Sequence, residues 1–130
     1  MAKGFRMQNQ RQKFGRESES IAVQQLKKNG YKILEQNYRT KLGEIDIIAK
    51  DKKTLVFVEV KARSSDLYGS PKWAITPKKQ RHISKVALYY LKVTKQTKVK
   101  ARFDVVTVSS LEDTPQIDII KNAFELAYGR

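Results

Sequence analysis

GEIDIIAKDKKTLVFVEVK, residues 43–61, reads as two strands joined by a short polar turn. Leu55, Val56, Phe57 and Val58 run apolar without alternation, as a strand buried on both faces does. Glu59, Val60 and Lys61 follow at once, and on the other arm Ile45, Ile47, Ile48 and Ala49 surround Asp46. Side chains alternate along a strand, so Glu59 and Lys61 share one face, as do Glu44 and Asp46. With Asp51 to Thr54 as the loop, Lys50 pairs with Leu55, and counting outward sets Asp46 opposite Glu59 and Glu44 opposite Lys61. Like charges so opposed destabilise an exposed sheet by about 0.2–1 kcal/mol, and a buried one by more, unless the acids share a proton or a cation. Two readings stand at this point. The acids form a divalent-metal site with Lys61 beside it, or the strand ends emerge into solvent with Glu44 and Lys61 as an ordinary cross-strand ion pair.

Upstream of the hairpin, Arg16 to Lys28 reads as a helix stopped by Asn29-Gly30 in the C-cap position. Ala22, Val23 and Leu26 make its apolar stripe, and Glu19 falls on the same inward face. An acid there serves the helix dipole or is a third carboxylate aimed at the hairpin; Glu17 is free for the dipole role. Tyr31 to Arg39 is a first strand, with Tyr31, Ile33 and Leu34 as its inward candidates. Residues 1–14 are basic, Gln-rich and without period, which predicts a flexible arm ahead of one domain over 15–130.

Downstream, Arg63 to Ala74 is a Ser, Gly and Pro loop carrying Tyr68, Gly69 and Trp73. It reads either as a lid whose aromatics stack on bases or as a connection whose Trp plugs the core edge. Thr76-Pro77 is an N-cap followed by proline at the first helical position, and the helix runs to about Val93. Its buried stripe is Ile83, Val86, Ala87, Tyr90 and Leu91. Lys78, Lys79, Arg81 and Lys85 gather near its start, the end that phosphates favour. Val99 to Ser109 is a strand, Ser110 to Pro115 a turn, Gln116 to Ile120 a short strand, and Asn122 to Tyr128 a closing helical turn. The expected fold is α/β: a mixed sheet of about five strands with helices packed on it.

Composition narrows the function. The 130 residues suit one domain with a real core. Absence of cysteine excludes disulfides and thiolate metal sites and agrees with a cytoplasmic protein. A lone histidine, His82, cannot make a zinc site. No apolar run approaches the ~18 residues of a membrane span, and the N-terminus lacks the apolar centre of a signal peptide. Twenty-seven Lys and Arg against 13 Asp and Glu give a net charge of +14. Met1 to Arg16 carries five basic residues and no acid, and Lys72 to Arg102 carries ten and no acid. Charge so one-sided suits a polyanion, nucleic acid ahead of an anionic membrane.

With Asp46, Glu59, Lys61 and the inward Glu19 in view, the chain resembles the PD-(D/E)xK restriction-endonuclease-like superfamily, and more closely the YraN family of endonuclease-like proteins within it. The similarity spans about residues 15–125. It is carried by Ser18-Glu19-Ser20-Ile21-Ala22 (with Ser where the family's helix motif has Gly), Gly30-Tyr31, Asn37-Tyr38-Arg39, Gly43-Glu44-Ile45-Asp46, Phe57-Val58-Glu59-Val60-Lys61, Lys79, Arg102-Phe103-Asp104 and Asn122-Ala123-Phe124. The superfamily's proline before the first acid is Ile45 here.

The resemblance implies a three-layer nuclease fold in which Asp46, Glu59 and Glu19, with the Val60 carbonyl, hold Mg²⁺ or Mn²⁺. The metal would polarise the scissile phosphate and activate water, and Lys61 would orient that water or stabilise developing charge. Lys78, Lys79, Arg81, Arg102 and Arg63 are the candidate phosphate contacts. The leading expectation is a metal-dependent nuclease acting on DNA rather than RNA, with branched DNA one candidate substrate. Its rivals are a non-catalytic nucleic-acid binder that kept the fold, and a basic structural protein on RNA, for which no aromatic recognition motif is visible. A homodimer stays open, since nucleases that cut both strands often pair, but no dimer surface is legible.

Overall fold

A computed structural model describes residues 10–63, 75–109 and 114–126, with side chains over 15–62, 75–109 and 114–126. In chain order the elements are α1 (Gln10–Lys28), β1 (Lys32–Thr40), β2 (Gly43–Asp51), β3 (Thr54–Arg63), α2 (Pro77–Val93), β4 (Ala101–Ser109) and β5 (Gln116–Phe124). The five strands form one mixed sheet in sequential order. β1–β2–β3 is an antiparallel meander, α2 carries the chain over to a parallel β4, and β5 returns antiparallel. The α/β sheet with helices packed on it is the expected architecture.

The doubly apolar run of β3 explains the layering. Leu55, Val56, Phe57 and Val58 are all at most 1% exposed. Val56 and Val58 pack with Ala22, Val23 and Leu26 of α1, while Leu55 and Phe57 pack with Ile83, Val86, Ala87 and Tyr90 of α2. The side under α2 is aromatic: Tyr38, Tyr90, Phe57, Phe103 and Phe124 follow one another with ring centroids 4.8–5.9 Å apart. Helices on both faces force the central strand to be apolar at every position.

Local chemistry fixes the element ends. α1 closes in a Schellman arrangement: Gly30, at φ 90, donates to the Lys27 carbonyl, and Tyr31 N–H reaches Leu26. α2 opens on Thr76, whose Oγ1 accepts from Lys79 N–H at 3.1 Å, with Pro77 at the first turn. Gly43 begins β2 at φ 140, where a Cβ would meet Val86 Cγ2 at 3.4 Å, so glycine lets the β1–β2 corner lie against α2. The β2–β3 turn is Lys52-Lys53, with Asp51 paired to Thr54 and Lys52 at φ 59, the positive value that two-residue hairpin turns use.

Three expectations change. α1 starts at Gln10, inside the segment read as a flexible arm, because Gln, Arg and Lys are good helix formers and extend the packed helix. The first strand is Lys32–Thr40, and Leu34 is 37% exposed rather than inward; a register shift between Ile33 and Glu35 turns it out. The closing helical turn expected over Asn122–Tyr128 is not formed by its first residues. β5 continues through Asn122 (φ 55) to Phe124, held by Asn122 N–H donating to Asp104 Oδ1 at 2.9 Å. Residues 1–9 of the expected arm, the 64–74 loop with Tyr68, Gly69 and Trp73, residues 110–113 of the expected turn and residues 127–130 lie outside the described residues.

Candidate functional site

The β2–β3 ladder has the expected register, Lys50 opposite Leu55, and its described pairs run to Ile47 opposite Val58. Beyond that rung the strands stop pairing as a simple count would have them. Ile45 joins the cluster under α2, whereas Ile47, two residues on, joins the one under α1. Strict alternation would put both on one face, so β2 changes phase at Asp46. Across β1 the pairs Gln36–Ile47 and Tyr38–Ile45 bracket Asn37, whose φ of 52 is left-handed. The distortion frees the Asp46 carboxylate to accept from Val60 N–H at 2.8 Å.

Carboxylates converge on this gap. Asp46 and Glu59 lie side by side in it, close enough for each to shift the other's ionisation. Burial, then the Asp46 charge, pushes Glu59 up to about 7. Burial also raises Asp46, opposed by the Val60 N–H and Lys79. Glu19 reaches the same region from α1, since burial and then the charges of Asp46 and Glu44 raise its pKa while a hydrogen bond with Asn37 opposes them. From α2, Lys79 Nζ lies 3.4 Å from Glu59 Oε2, with the Glu59 side chain 13% exposed. A strand residue's N–H and C=O point to the same edge, so the Val60 carbonyl is also turned toward β2. Lys61 is half-buried and pairs in register with Thr107, which puts their side chains on one face. Thr107 Oγ1 is buried with no hydrogen-bond partner, as is Ser18 Oγ beside Glu19.

The structure therefore brings Asp46 and Glu59 together with Lys79, sets Glu19 near enough to feel the charges of Asp46 and Glu44, and places Lys61 further along the strand of Glu59. Lys78 and Arg81 are exposed on α2 near its start. Arg63 ends β3, and its side chain lies outside the described residues.

Arg102 is elsewhere. It shares the α1 face with Asp104, and its guanidinium binds Asp51 at 2.7 Å, Asp104 at 2.9 Å and the Tyr31 hydroxyl at 3.1 Å. Burial opposes its charge, but the hydrogen bonds to Asp104 and Asp51 outweigh that and hold it charged; the same contact lowers Asp51. Arg102 ties the hairpin tip to β4, a structural role where a phosphate contact was expected.

Asn37 and Thr107 are members of the site's surroundings that the sequence reading does not single out, whereas Glu44 is already read there as a neighbour of Asp46. Glu44 pairs with Arg39 at 3.5 Å on the exposed side of the β1–β2 hairpin. The motif Asn37-Tyr38-Arg39 was visible, but an Asn at positive φ inside a strand is not readable from its neighbours. A groove of about 500 Å³ lined by Lys27, Tyr31, Ile33 and Glu35 lies between α1 and β1, away from the acids.

Among the described residues, no group of three or more His, Asp or Glu side chains is arranged to hold a metal ion as it stands. The acids contact one another, Val60 and Lys79 instead. As a donor set they suit a hard divalent cation, which takes carboxylate oxygens and would relieve the Asp46–Glu59 repulsion. No helix among the described residues is long and apolar enough to cross a membrane.

Comparison with known proteins agrees with the motif pattern. The family model "Uncharacterised protein family UPF0102" matches residues 18–108. A UPF0102 protein of Desulfosudis oleivorans is 56% identical over 119 residues, covering 92% of this chain and 95% of the relative. One from Syntrophus aciditrophicus is 53% identical over 126 residues, covering 97% and 98%, and one from Geobacter metallireducens is 54% identical over 114 residues, covering 88% and 93%. A match spanning α1 to β4 and identities above half over nearly whole chains leave one conclusion: this chain belongs to the UPF0102 family, the YraN family that its acids and lysine resemble.

Proposed function

We propose that the protein is a divalent-metal-dependent phosphodiesterase that cleaves nucleic acid, with DNA as its substrate and branched or otherwise structured DNA as the first form to test. The observation that carries this reading is the Asp46–Glu59 pair, two half-buried carboxylates side by side at a break in the sheet, with Lys79 at 3.4 Å from one of them. A purely structural strand end gains nothing from such a pair, and a phosphate-binding surface is weakened by it. Asp46, Glu59 and Glu19, with the Val60 carbonyl, would hold Mg²⁺ or Mn²⁺. That ion would supply Lewis-acid polarisation of the phosphate and a lowered pKa for bound water.

The chain's own groups do the rest. Lys61 stands on the face of Glu59 and stabilises charge that develops on the phosphoryl oxygens. Lys79 leaves Glu59 and neutralises substrate phosphate at the N-terminal turn of α2, where the helix dipole already favours an anion. Glu59 must lose its proton for the site to load, so metal and proton compete for it and loading strengthens as pH rises.

The test is a panel of single-stranded, duplex, forked and four-way DNA and matching RNA, incubated with Mg²⁺ or Mn²⁺. Cleavage that vanishes in Asp46→Ala and Lys61→Ala is the expected result. Tight binding with no cleavage on any substrate would replace this reading by that of a non-catalytic nucleic-acid binder.

A further inference from the structure

Helix α2 carries a second pattern beyond its buried stripe. Lys78, His82, Lys85, Tyr89 and Lys92 recur at spacings of four, three, four and three, which places them on one side of the helix. All five are exposed, on the side opposite Ile83, Val86, Ala87 and Tyr90. Tyr89 is 43% exposed, and the neighbouring Leu88 and Val93 are 37% and 49% exposed. A solvated helix face mixes charges of both signs and exposes few large apolar groups. This one has no acid anywhere on the helix and sets an aromatic ring among lysines.

The stripe begins next to the candidate site: its first member, Lys78, adjoins Lys79, which is turned about 100° round the helix toward the side of Ile83, Val86 and Tyr90 and reaches Glu59. Tyr89 lies ten residues further on, about 15 Å along the helix axis. A strand held at its scissile phosphate by Lys79 and passing round to the outer face therefore reaches Tyr89 after about five nucleotides, taking about 3.4 Å for each stacked step.

Building on the phosphodiesterase reading, we propose that the outer face of α2 is the track for an unpaired nucleic-acid strand, with Tyr89 stacking on a base and Lys85 and Lys92 holding the flanking phosphates. The exposed apolar groups decide for an unpaired strand. A duplex keeps its base faces stacked inside and offers a helix beside it mainly phosphates, which Leu88, Tyr89 and Val93 cannot use. A single strand offers both phosphates and π-faces, the combination that lysines interleaved with an aromatic ring recognise. The substrate class that follows is nucleic acid with an unpaired segment adjoining the cleaved bond, such as a flap or fork.

Binding is measured by fluorescence anisotropy with a labelled single-stranded oligonucleotide, the blunt duplex of the same sequence and that duplex with an unpaired tail, all in EDTA so that no cleavage intervenes. Tyr89→Ala is expected to weaken single-strand and tailed-duplex binding by about 5- to 150-fold, the range for loss of one stacked base, and to leave the blunt duplex unchanged. Tyr89→Phe keeps the ring and keeps the affinity. Lys85→Gln and Lys92→Gln each lower the slope of log affinity against log salt by about 0.7, the value for one phosphate contact on a single strand, whereas Tyr89→Ala leaves that slope alone. These side chains are exposed, so the variants melt with the parent. Equal single-strand affinity in Tyr89→Ala and the parent overturns the proposal, as does an equal loss on blunt duplex, or absence of binding to every probe. If Tyr89 behaves as expected but no substrate is ever cut, the track stands and the phosphodiesterase chemistry falls. Cleavage by a protein whose Tyr89→Ala variant binds single strands normally has the reverse meaning.

Discussion

The Asp46 carboxylate accepts a hydrogen bond from Val60 N–H at 2.8 Å, just past the last described rung of the β2–β3 ladder at Ile47 and Val58. A side chain on one strand thus satisfies a backbone donor on the next, in the gap where regular pairing has ended. The contact fixes the first acid against the strand that carries the second, Glu59, and costs the sheet no unsatisfied N–H. It also means that Asp46 has two separable roles: hydrogen-bond acceptor for the fold, and negative charge for the site.

Asp46→Asn and Asp46→Ala should separate these roles. Asparagine keeps an acceptor oxygen for Val60 and removes the charge facing Glu59, so its stability in EDTA at pH 8 should match or exceed the parent's. Alanine leaves the Val60 N–H without that partner and should cost about 1–3 kcal/mol in urea unfolding. Both should weaken divalent-metal binding by at least about tenfold, seen by calorimetric titration, because neither supplies a carboxylate. Equal metal affinity in parent and Asp46→Asn would remove Asp46 from the ligand set.

The protonation of Glu59 gives a pH dependence of definite sign. Its folded pKa, raised from 4.5 to about 7, means that the folded chain holds a proton that the unfolded chain releases. Between those values the native state binds more protons, so stability falls as pH rises from about 4.5 to about 7 and is level above. That displacement corresponds to about 3 kcal/mol, shared across the Asp46–Glu59 pair. Thermal melts in EDTA should show this decline in the parent and a smaller one in Glu59→Gln. Added Mg²⁺ should stabilise the parent more at pH 8 than at pH 6, since the ion competes with the shared proton. A parent whose metal-free stability rises over the same window would contradict the buried-pair geometry.

What the sequence revealed was what local chemistry decides. The run Leu55 to Val58 announced a strand covered on both faces, Thr76-Pro77 announced the start of α2, and Asn29-Gly30 announced the end of α1. The register of the hairpin followed from Lys50 and Leu55 because a two-strand ladder allows few alternatives once its inward residues are known. What stayed hidden depends on partners distant in the chain. Arg102 looked like a free cation in an acid-free segment, and one of its two acid partners, Asp51, sits at the tip of a hairpin 51 residues earlier. Asn122 carried a turn signature, yet its N–H is taken by Asp104, so β5 runs on. The phase change at Asp46 needs Asn37 at positive φ on the neighbouring strand, and no period in either strand encodes that.

Arg102 and its partners should therefore report on stability and not on nucleic acid. Its side chain is 18% exposed and Asp104 is fully buried, so removing the guanidinium strands an acid away from water. Arg102→Met should cost about 3–5 kcal/mol in urea unfolding, the range for breaking one side of a buried pair. For the protein that remains folded, the salt slope of nucleic-acid binding should equal the parent's. A slope lowered by about one contact, with little loss of stability, would return Arg102 to the phosphate-binding set.

Lys79 stands where two demands meet, and its removal should act differently on each side of pH 7. Its ammonium, 3.4 Å from Glu59, opposes metal by occupying the carboxylate and assists it by favouring the ionised form. Lys79→Gln removes both effects. At pH 9, where Glu59 ionises without help, only the competition is lost, and divalent-metal affinity should rise. The pair is half in solvent on the lysine side, so the gain should be no more than about fivefold. At pH 6 the acid is harder to ionise without its partner, and the gain should shrink or reverse. Nucleic-acid affinity should fall at both pH values, with a salt slope lower by about 0.7–0.9. Calorimetry at the two pH values with the parent and Lys79→Gln decides the matter: equal metal affinities throughout would show that Lys79 neither blocks nor tunes the acids.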